Sequence, residues 1–194
     1  MLKKKIILAS QSPRRAQLLT AANIDFVVKP VPVEEDYPSD LPVMDVAAFL
    51  AQKKARAARN LLWDDTLSAD LLLTADSVVI LDGTIYGKPS DREAAIRVIE
   101  TLSGRVHQVV TGVCLRSKRR EQTFSGVANV HFATLDRKEI EYYVDMFQPY
   151  DKAGAYAIQE WIGLCHIERI EGTFSNIMGL PMDLVYPAIR DWRD

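Results

Sequence analysis

The chain has 194 residues, 24 Lys+Arg against 26 Asp+Glu, a formal net charge of −2 and 48% hydrophobic residues. A chain of this length buries roughly 70% of its unfolded surface, so one domain can build a core without disulfide or metal staples. The near-neutral balance excludes bulk attraction to nucleic acid or to an anionic membrane, and no apolar run approaches the ~18 residues of a membrane span.

The elements read in order as follows. Lys5–Ala9 is a short buried strand. Ser12-Pro13 supplies an N-cap and a first-turn proline for a helix from Pro13 to about Ala22. The apolar run Phe26–Val33 is broken by Pro30 and Pro32, ends in Glu34-Glu35-Asp36, and passes into a loop up to Pro42. Asp45–Leu62 is helical, Leu71–Leu81 is a buried strand, and Asp82-Gly83 signals a hairpin. Ser90-Asp-Arg-Glu93 reads as a capping box for a helix that Gly104 closes. Val106–Arg116 and Gln122–Ala133 have strand character, and Asp136-Arg-Lys-Glu139 opens a helix with Ile140, Tyr143, Val144 and Phe147 on one face. Leu164–Ile170 alternates as a strand, and Pro181 opens the last helix. Strands mixed with crossover helices predict an α/β fold, a mixed sheet flanked by helices, with residues 1–194 as one domain and no linker. No repeat of 20–50 residues is present.

Cys114 and Cys165 have no metal spacing and lie in apolar strand-like runs, so both are expected as reduced, buried thiols of a cytoplasmic protein. The apolar stretch in MLKKKIILAS is too short for a signal-peptide core.

Chemistry concentrates in a few segments. In Leu8-Ala-Ser-Gln-Ser-Pro-Arg-Arg15 a strand ends, a polar loop follows and a helix begins. Free N–H groups there suit an anion, with hydroxyls from Ser10 and Ser12 and guanidinium forks from Arg14 and Arg15. The alternative is a capped surface helix with two solvated arginines. Asp76 and Ser77 interrupt the apolar strand Leu71–Ile80. A carboxylate there is costly unless bonded or paired, so Asp76 is a metal ligand, an orienter of attacking water, or a strand-end residue bonding backbone. Lys88 sits between Gly87 and Pro89, and Lys53 and Lys54 point to different sides of their helix, so one of the two can face a ligand. Asp151-Lys-Ala-Gly-Ala-Tyr-Ala-Ile-Gln159 and Gly172–Pro181 allow close backbone approach. Gln159 carries the donor and acceptor needed to read a base edge. Arg14, Arg15, Lys54 and Lys88 together match the charge of a triphosphate, and Asp76 with Glu34-Glu35 supplies carboxylates for a hard divalent ion. No Walker loop, GxGxxG, HxxxH pair or GxSxG elbow is present.

The ordered set LASQSPRR, KKARA, TADSVV, GKP, DKAGAYAIQ and SNIMGLP, spanning Leu8 to Pro181, resembles the Maf family of nucleotide pyrophosphatases. The resemblance implies a fold related to the inosine triphosphate pyrophosphatases, two lobes around an elongated sheet with a central cleft. It also implies hydrolysis of a nucleoside triphosphate to the monophosphate and pyrophosphate with Mg²⁺ or Mn²⁺, and a homodimer. Arg15, Ser77 and Gln159 make the chain similar to the branch acting on dTTP and UTP rather than the 7-methyl-GTP branch. Ser77 stands where threonine is usual, and Glu160-Trp161 follows Gln159 where glycine is usual. On this reading Ser10, Ser12, Arg14, Arg15, Lys54 and Lys88 bind phosphates, Glu35 and Asp76 hold the metal, and Asp76 accepts the proton of the attacking water. Two rival readings are a nucleotide-binding regulator of cell division without turnover, and nucleic-acid binding through Arg14-Arg15 and Lys118-Arg119-Arg120. The net charge and the lack of aromatic-basic interleaving disfavour the second.

Overall fold

The computed structural model describes residues 4–193. Its elements run β1 (Ile6–Leu8), α1 (Pro13–Ala21), β2 (Phe26–Val28), α2 (Val46–Ala58), β3 (Leu71–Leu81), β4 (Thr84–Tyr86), α3 (Arg92–Leu102), β5 (Val106–Arg116), β6 (Glu121–Phe132), α4 (Arg137–Phe147), α5 (Trp161–His166), β7 (Ile167–Glu171), α6 (Phe174–Met178) and α7 (Met182–Arg190). Among the described residues the strands form one mixed sheet in the order β2-β1-β3-β5-β6-β7, with β4 paired to β3. β1 lies parallel to both β2 and β3, whereas β4 and β7 are antiparallel to β3 and β6. The α/β class and the mixed sheet agree with the sequence.

The chain forms two compact units: residues up to 76, 111–126 and from 179 on in the first, 77–110 and 127–178 in the second. Three of the four unit boundaries fall inside β3, β5 and β6, and the fourth lies between α6 and α7. The first unit has two apolar clusters. One joins Leu8, Leu19, Leu73, Leu115 and Ile189; the other joins Ile7, Ala51, Ala55, Leu72 and Cys114. The second unit has its own core, built on Ile96, Ile99, Phe132, Tyr143 and Tyr156.

In the first unit the small residues on the buried face of α2, Ala47, Ala51, Ala55 and Ala58, let the helix lie close to the sheet. A Cβ on Gly112 of β5 would come within 2.3 Å of the Ala47 carbonyl carbon, so only glycine fits beneath this helix. The Thr74 hydroxyl of β3 donates to Ala51 O at 2.7 Å, satisfying a buried hydroxyl and fixing α2 along the strand.

Several local expectations need correction. The α3 cap is Asp91, which accepts from Ala94 N, and Ser90 instead donates to the Asp91 carboxylate; the expected Ser90–Glu93 box does not form. At α4 the Asp136–Glu139 box forms as read. Residues 164–166 are helical, not strand, and β7 begins only at Ile167. Cys165 is therefore exposed on α5, while Cys114 is buried in β5, where burial pushes its thiol up to about 11.

His107 is 1% exposed in the second unit, edge-on to Phe132 and Tyr156, with one ring nitrogen 2.7 Å from the Tyr156 hydroxyl. Burial lowers its pKa from 6.5 to about 4 by stripping the imidazolium of hydration, and His131 adds to the shift as a like charge. The folded protein thus binds this proton less readily than the unfolded chain. Stability is complete above pH 6.5 and falls as pH drops toward 4, by about 3 kcal/mol in all. Urea midpoints measured from pH 7.5 to 4.5 should show this slope, and His107→Phe should remove that part of it; an unchanged slope in the variant would exclude His107 as its source.

Candidate active site

The site builds from the end of β1. Ser12 occupies the N-cap position of α1 but makes no side-chain cap. Its N–H instead donates to Ser10 Oγ at 3.2 Å. Arg15 and Leu19 are the buried residues of α1, one helical turn apart on its inner face. The Arg15 guanidinium accordingly turns inward. It donates to Ser10 Oγ at 3.0 Å, to Ala75 O at 2.7 Å and, through Nε, to Gly179 O at 2.8 Å. Burial lowers its pKa, and the charge of Asp76 opposes that shift. Ser10 Oγ accepts from both Ser12 and Arg15, so its lone pairs are engaged and its O–H is left as a donor. Arg14 is half-buried. Sequence reading gave the two arginines one role; the Arg15/Leu19 spacing was the signal that one of them faces the core.

The second part of the site comes from the α2–β3 contact. Thr74 and Asp76 share one face of β3, because side chains alternate along a strand. Thr74 bonds Ala51 of α2, and Lys54 lies three residues further along that helix, about one turn. The Lys54 ammonium donates to Asp76 Oδ1 and, at 2.8 Å, to Glu35 Oε1. Its side chain and that of Asp76 are 16% and 11% exposed, against 43% for Glu35. Lys53 takes the other side, as the helical spacing predicted, and pairs with Asp36 at the surface.

Arg15 joins the two parts: it bonds the carbonyl of Ala75, the residue before Asp76. In the first unit the structure thus brings Ser10, Ser12 and Arg15 into one linked group and Lys54, Glu35 and Asp76 into another. Glu35 and Asp76 converge on one positive point, and no group of three His, Cys, Asp or Glu able to hold a metal occurs among the described residues. Two carboxylates fit Mg²⁺, which keeps waters and takes remaining ligands from substrate phosphates.

The other candidates lie in the second unit. Ser77 is half-buried in β3, and Lys88 is exposed in a turn whose Gly87 carbonyl accepts from Gly154 N at 3.2 Å. Gln159 lies in a turn closed by Glu160 N donating to Ala157 O at 3.1 Å. Its Oε1 is buried with no hydrogen-bond partner among the described residues. Trp161, the residue that could have filled this region, packs edge-on against Tyr142 and His166, with ring centroids 5.1 and 4.8 Å away. Lys152, Tyr143 and Glu160 were not singled out by role. Lys152 is buried and pairs with Asp151 at 2.7 Å and Glu160 at 3.4 Å. A lysine inside a run of small apolar residues was the available signal.

Of the Lys118-Arg119-Arg120 cluster in the nucleic-acid reading, Arg120 is tied into the fold. The Arg120 guanidinium lies 4.8 Å from the Trp192 ring centroid and donates to Gln122 Oε1 and Arg193 O. Among the described residues no helix is long and apolar enough to cross a membrane.

The Maf-like protein family matches residues 5–192 of the chain. A protein of Porphyromonas gingivalis strain W83 named dTTP/UTP pyrophosphatase is 51% identical over 193 residues, covering 98% of this chain and 95% of the relative. One of the same name from Bacteroides thetaiotaomicron is 44% identical over 189 residues, covering 97% and 96%. Among solved structures, the Staphylococcus aureus Ham1 protein aligns over 67% of this chain and 72% of its own, with 18% identity and a TM-score of 0.47, too low to bear on the assignment. With the match running nearly end to end, the chain belongs to the Maf-like protein family.

Proposed function

We propose that the protein hydrolyses nucleoside triphosphates, dTTP and UTP first, to the monophosphate and pyrophosphate. The observation that carries this reading is the Lys54 ammonium against Asp76 in an apolar strand, with Glu35 on the same cation. A carboxylate in such a strand needs its partner, and a partner that is itself a cation can also meet phosphate. The names of the relatives point the same way.

In this reading Ser10 donates its hydroxyl proton to a phosphate oxygen, and Arg14, Lys54 and Lys88 neutralise the triphosphate. Arg15 contributes fixed positive charge from behind Ser10. Asp76 takes the proton of a water that attacks the α-phosphorus. The bond from that phosphorus to the bridging oxygen breaks, and pyrophosphate departs with both bonding electrons. Positioning and charge stabilisation supply most of the rate, as this chemistry requires. Glu35 and Asp76 would hold Mg²⁺ or Mn²⁺; when bound, the ion neutralises charge on the phosphoryl oxygens. Ser77 lies beside Asp76 in the chain and contacts substrate. Gln159 reads the base: its orphaned carbonyl oxygen takes the N3 proton of uracil or thymine, and its amide gives N–H to the 4-keto oxygen. Cytosine reverses that pattern. The enzyme acts in the cytoplasm as a homodimer, which the family resemblance supports; the buried, unreactive Cys114 suits a reducing compartment.

Two outcomes are expected. Asp76→Asn should lower pyrophosphate release ~10²–10⁴-fold while circular dichroism shows the fold retained, at a lower melting temperature because Lys54 loses its buried partner; turnover within a few-fold of wild type would remove Asp76 from the chemistry. Across a panel with Mg²⁺ or Mn²⁺, dTTP and UTP should lead CTP, ATP, GTP and 7-methyl-GTP, and Gln159→Ala should shrink the lead over CTP by ~5–150-fold, the cost of one unpaired buried polar group. Binding without turnover would favour the regulator reading, and a purine in first place would overturn the base assignment.

A further inference from the structure

The departure from the family pattern after Gln159 has a built environment. Tyr143 of α4 is fully buried and stacks on Phe147 with ring centroids 5.0 Å apart. Its hydroxyl donates to Glu160 Oε2 and accepts from Ala157 N at 3.2 Å. Those two residues are the ends of the turn that carries Gln159, and the turn is closed by Glu160 N–H to Ala157 O at 3.1 Å. One phenol therefore grips both ends of a four-residue turn. The other oxygen of Glu160 faces the Lys152 ammonium at 3.4 Å, and Lys152 is only 8% exposed. Glycine at position 160 would offer neither contact.

We infer that Glu160, clamped by Tyr143 and Lys152, is a specificity-determining positioning residue that fixes the turn from which the Gln159 carboxamide reaches the base. The reasoning is steric and electrostatic. A carboxamide discriminates uracil from cytosine only while it stands in line with the base edge, because a displaced amide can no longer pair its donor and acceptor with the 4-keto oxygen and N3–H at once. Among the described residues Gln159 Oε1 has no hydrogen-bond partner, so what places the side chain is the backbone on which it stands. A turn held at both ends in a buried setting supplies that rigidity, and preorganised groups lose less on binding. The indole of Trp161 is occupied by Tyr142 and His166, which leaves Glu160 as the part of the departure that acts on the turn.

The inference rests on the proposed reading of Gln159, and the test separates the two. Initial rates would be measured for UTP against CTP and for dTTP against dCTP, so that sugar and phosphates are matched within each pair. Tyr143→Phe keeps the ring and its packing and removes both bonds. Glu160→Ala removes the carboxylate. Glu160→Gln keeps an acceptor for Tyr143 and serves as the conservative rescue. The expected result is a fall of about tenfold in the UTP/CTP and dTTP/dCTP ratios of kcat/KM for Tyr143→Phe and Glu160→Ala, with the ratio largely restored in Glu160→Gln. The loss should arise chiefly from poorer use of UTP and dTTP. If the variants slow all four nucleotides equally and leave the ratios unchanged, the cluster is structural and this inference is overturned while the Gln159 reading stands. A wild-type protein without preference within either pair overturns both. Should Tyr143→Phe not fold, the two Glu160 variants decide the matter by the same ratios.

Discussion

A lysine ammonium facing two carboxylates near the apolar interior must be held by everything around it. Removing two charges from water costs several kcal/mol each, and only close, well-bonded geometry offsets that cost. In this protein the geometry comes from α2 lying almost in contact with the sheet. Gly112 gives the helix room, a ladder of alanines lets it approach, and the Thr74 hydroxyl fixes it along β3. Lys54 and Asp76 then meet because each stands about one structural repeat beyond the Ala51–Thr74 bond. Glu35, more exposed, completes the group from the loop after β2. Breaking such a pair by removing one partner typically costs 3–5 kcal/mol, so the cluster is also a structural commitment of the first unit.

Arg15 is the second organising element. Its three donors hold the Ser10 hydroxyl, the carbonyl before Asp76 and the carbonyl of Gly179. Backbone carbonyls accept its hydrogen bonds without cancelling its charge, so the positive field persists beside Ser10 and Asp76. That is a different use of arginine from a fork that closes on a ligand. It explains why two adjacent arginines need not be equivalent: in a helix, neighbours are about a hundred degrees apart, and one of them shares the face of Leu19.

Much of this was legible in the chain. β3 and β5 match their expected bounds because each is rich in aliphatic and β-branched residues and ends in a polar or glycine turn. The Asp136–Glu139 box announced α4, and the Lys53/Lys54 divergence follows from helical spacing alone. What the chain hid has physical causes. The Leu164–Ile170 alternation suits a strand as well as a short helix, and the turn at 157–160 decides in favour of the helix at 161. Ser90 and Asp91 are both good caps one residue apart, and the structure uses Asp91. Tyr143 looked like core because it is core; only its hydroxyl, invisible to periodicity, reaches Glu160 and Ala157. The Arg15 bonds connect residues 60 and 164 positions apart, beyond any local pattern.

In the proposed mechanism Lys54 and Asp76 work as one unit in hydrolysis. The most direct measurement is a double-mutant cycle on pyrophosphate release from dTTP, using Lys54→Met, Asp76→Asn and the double variant, with folding checked by thermal melting. Residues that act together give strongly non-additive losses. The account predicts that each single variant loses most of the rate and that the double variant is little worse than Asp76→Asn alone. Losses that multiply, so that the double variant falls by the product of the two single effects, would contradict it.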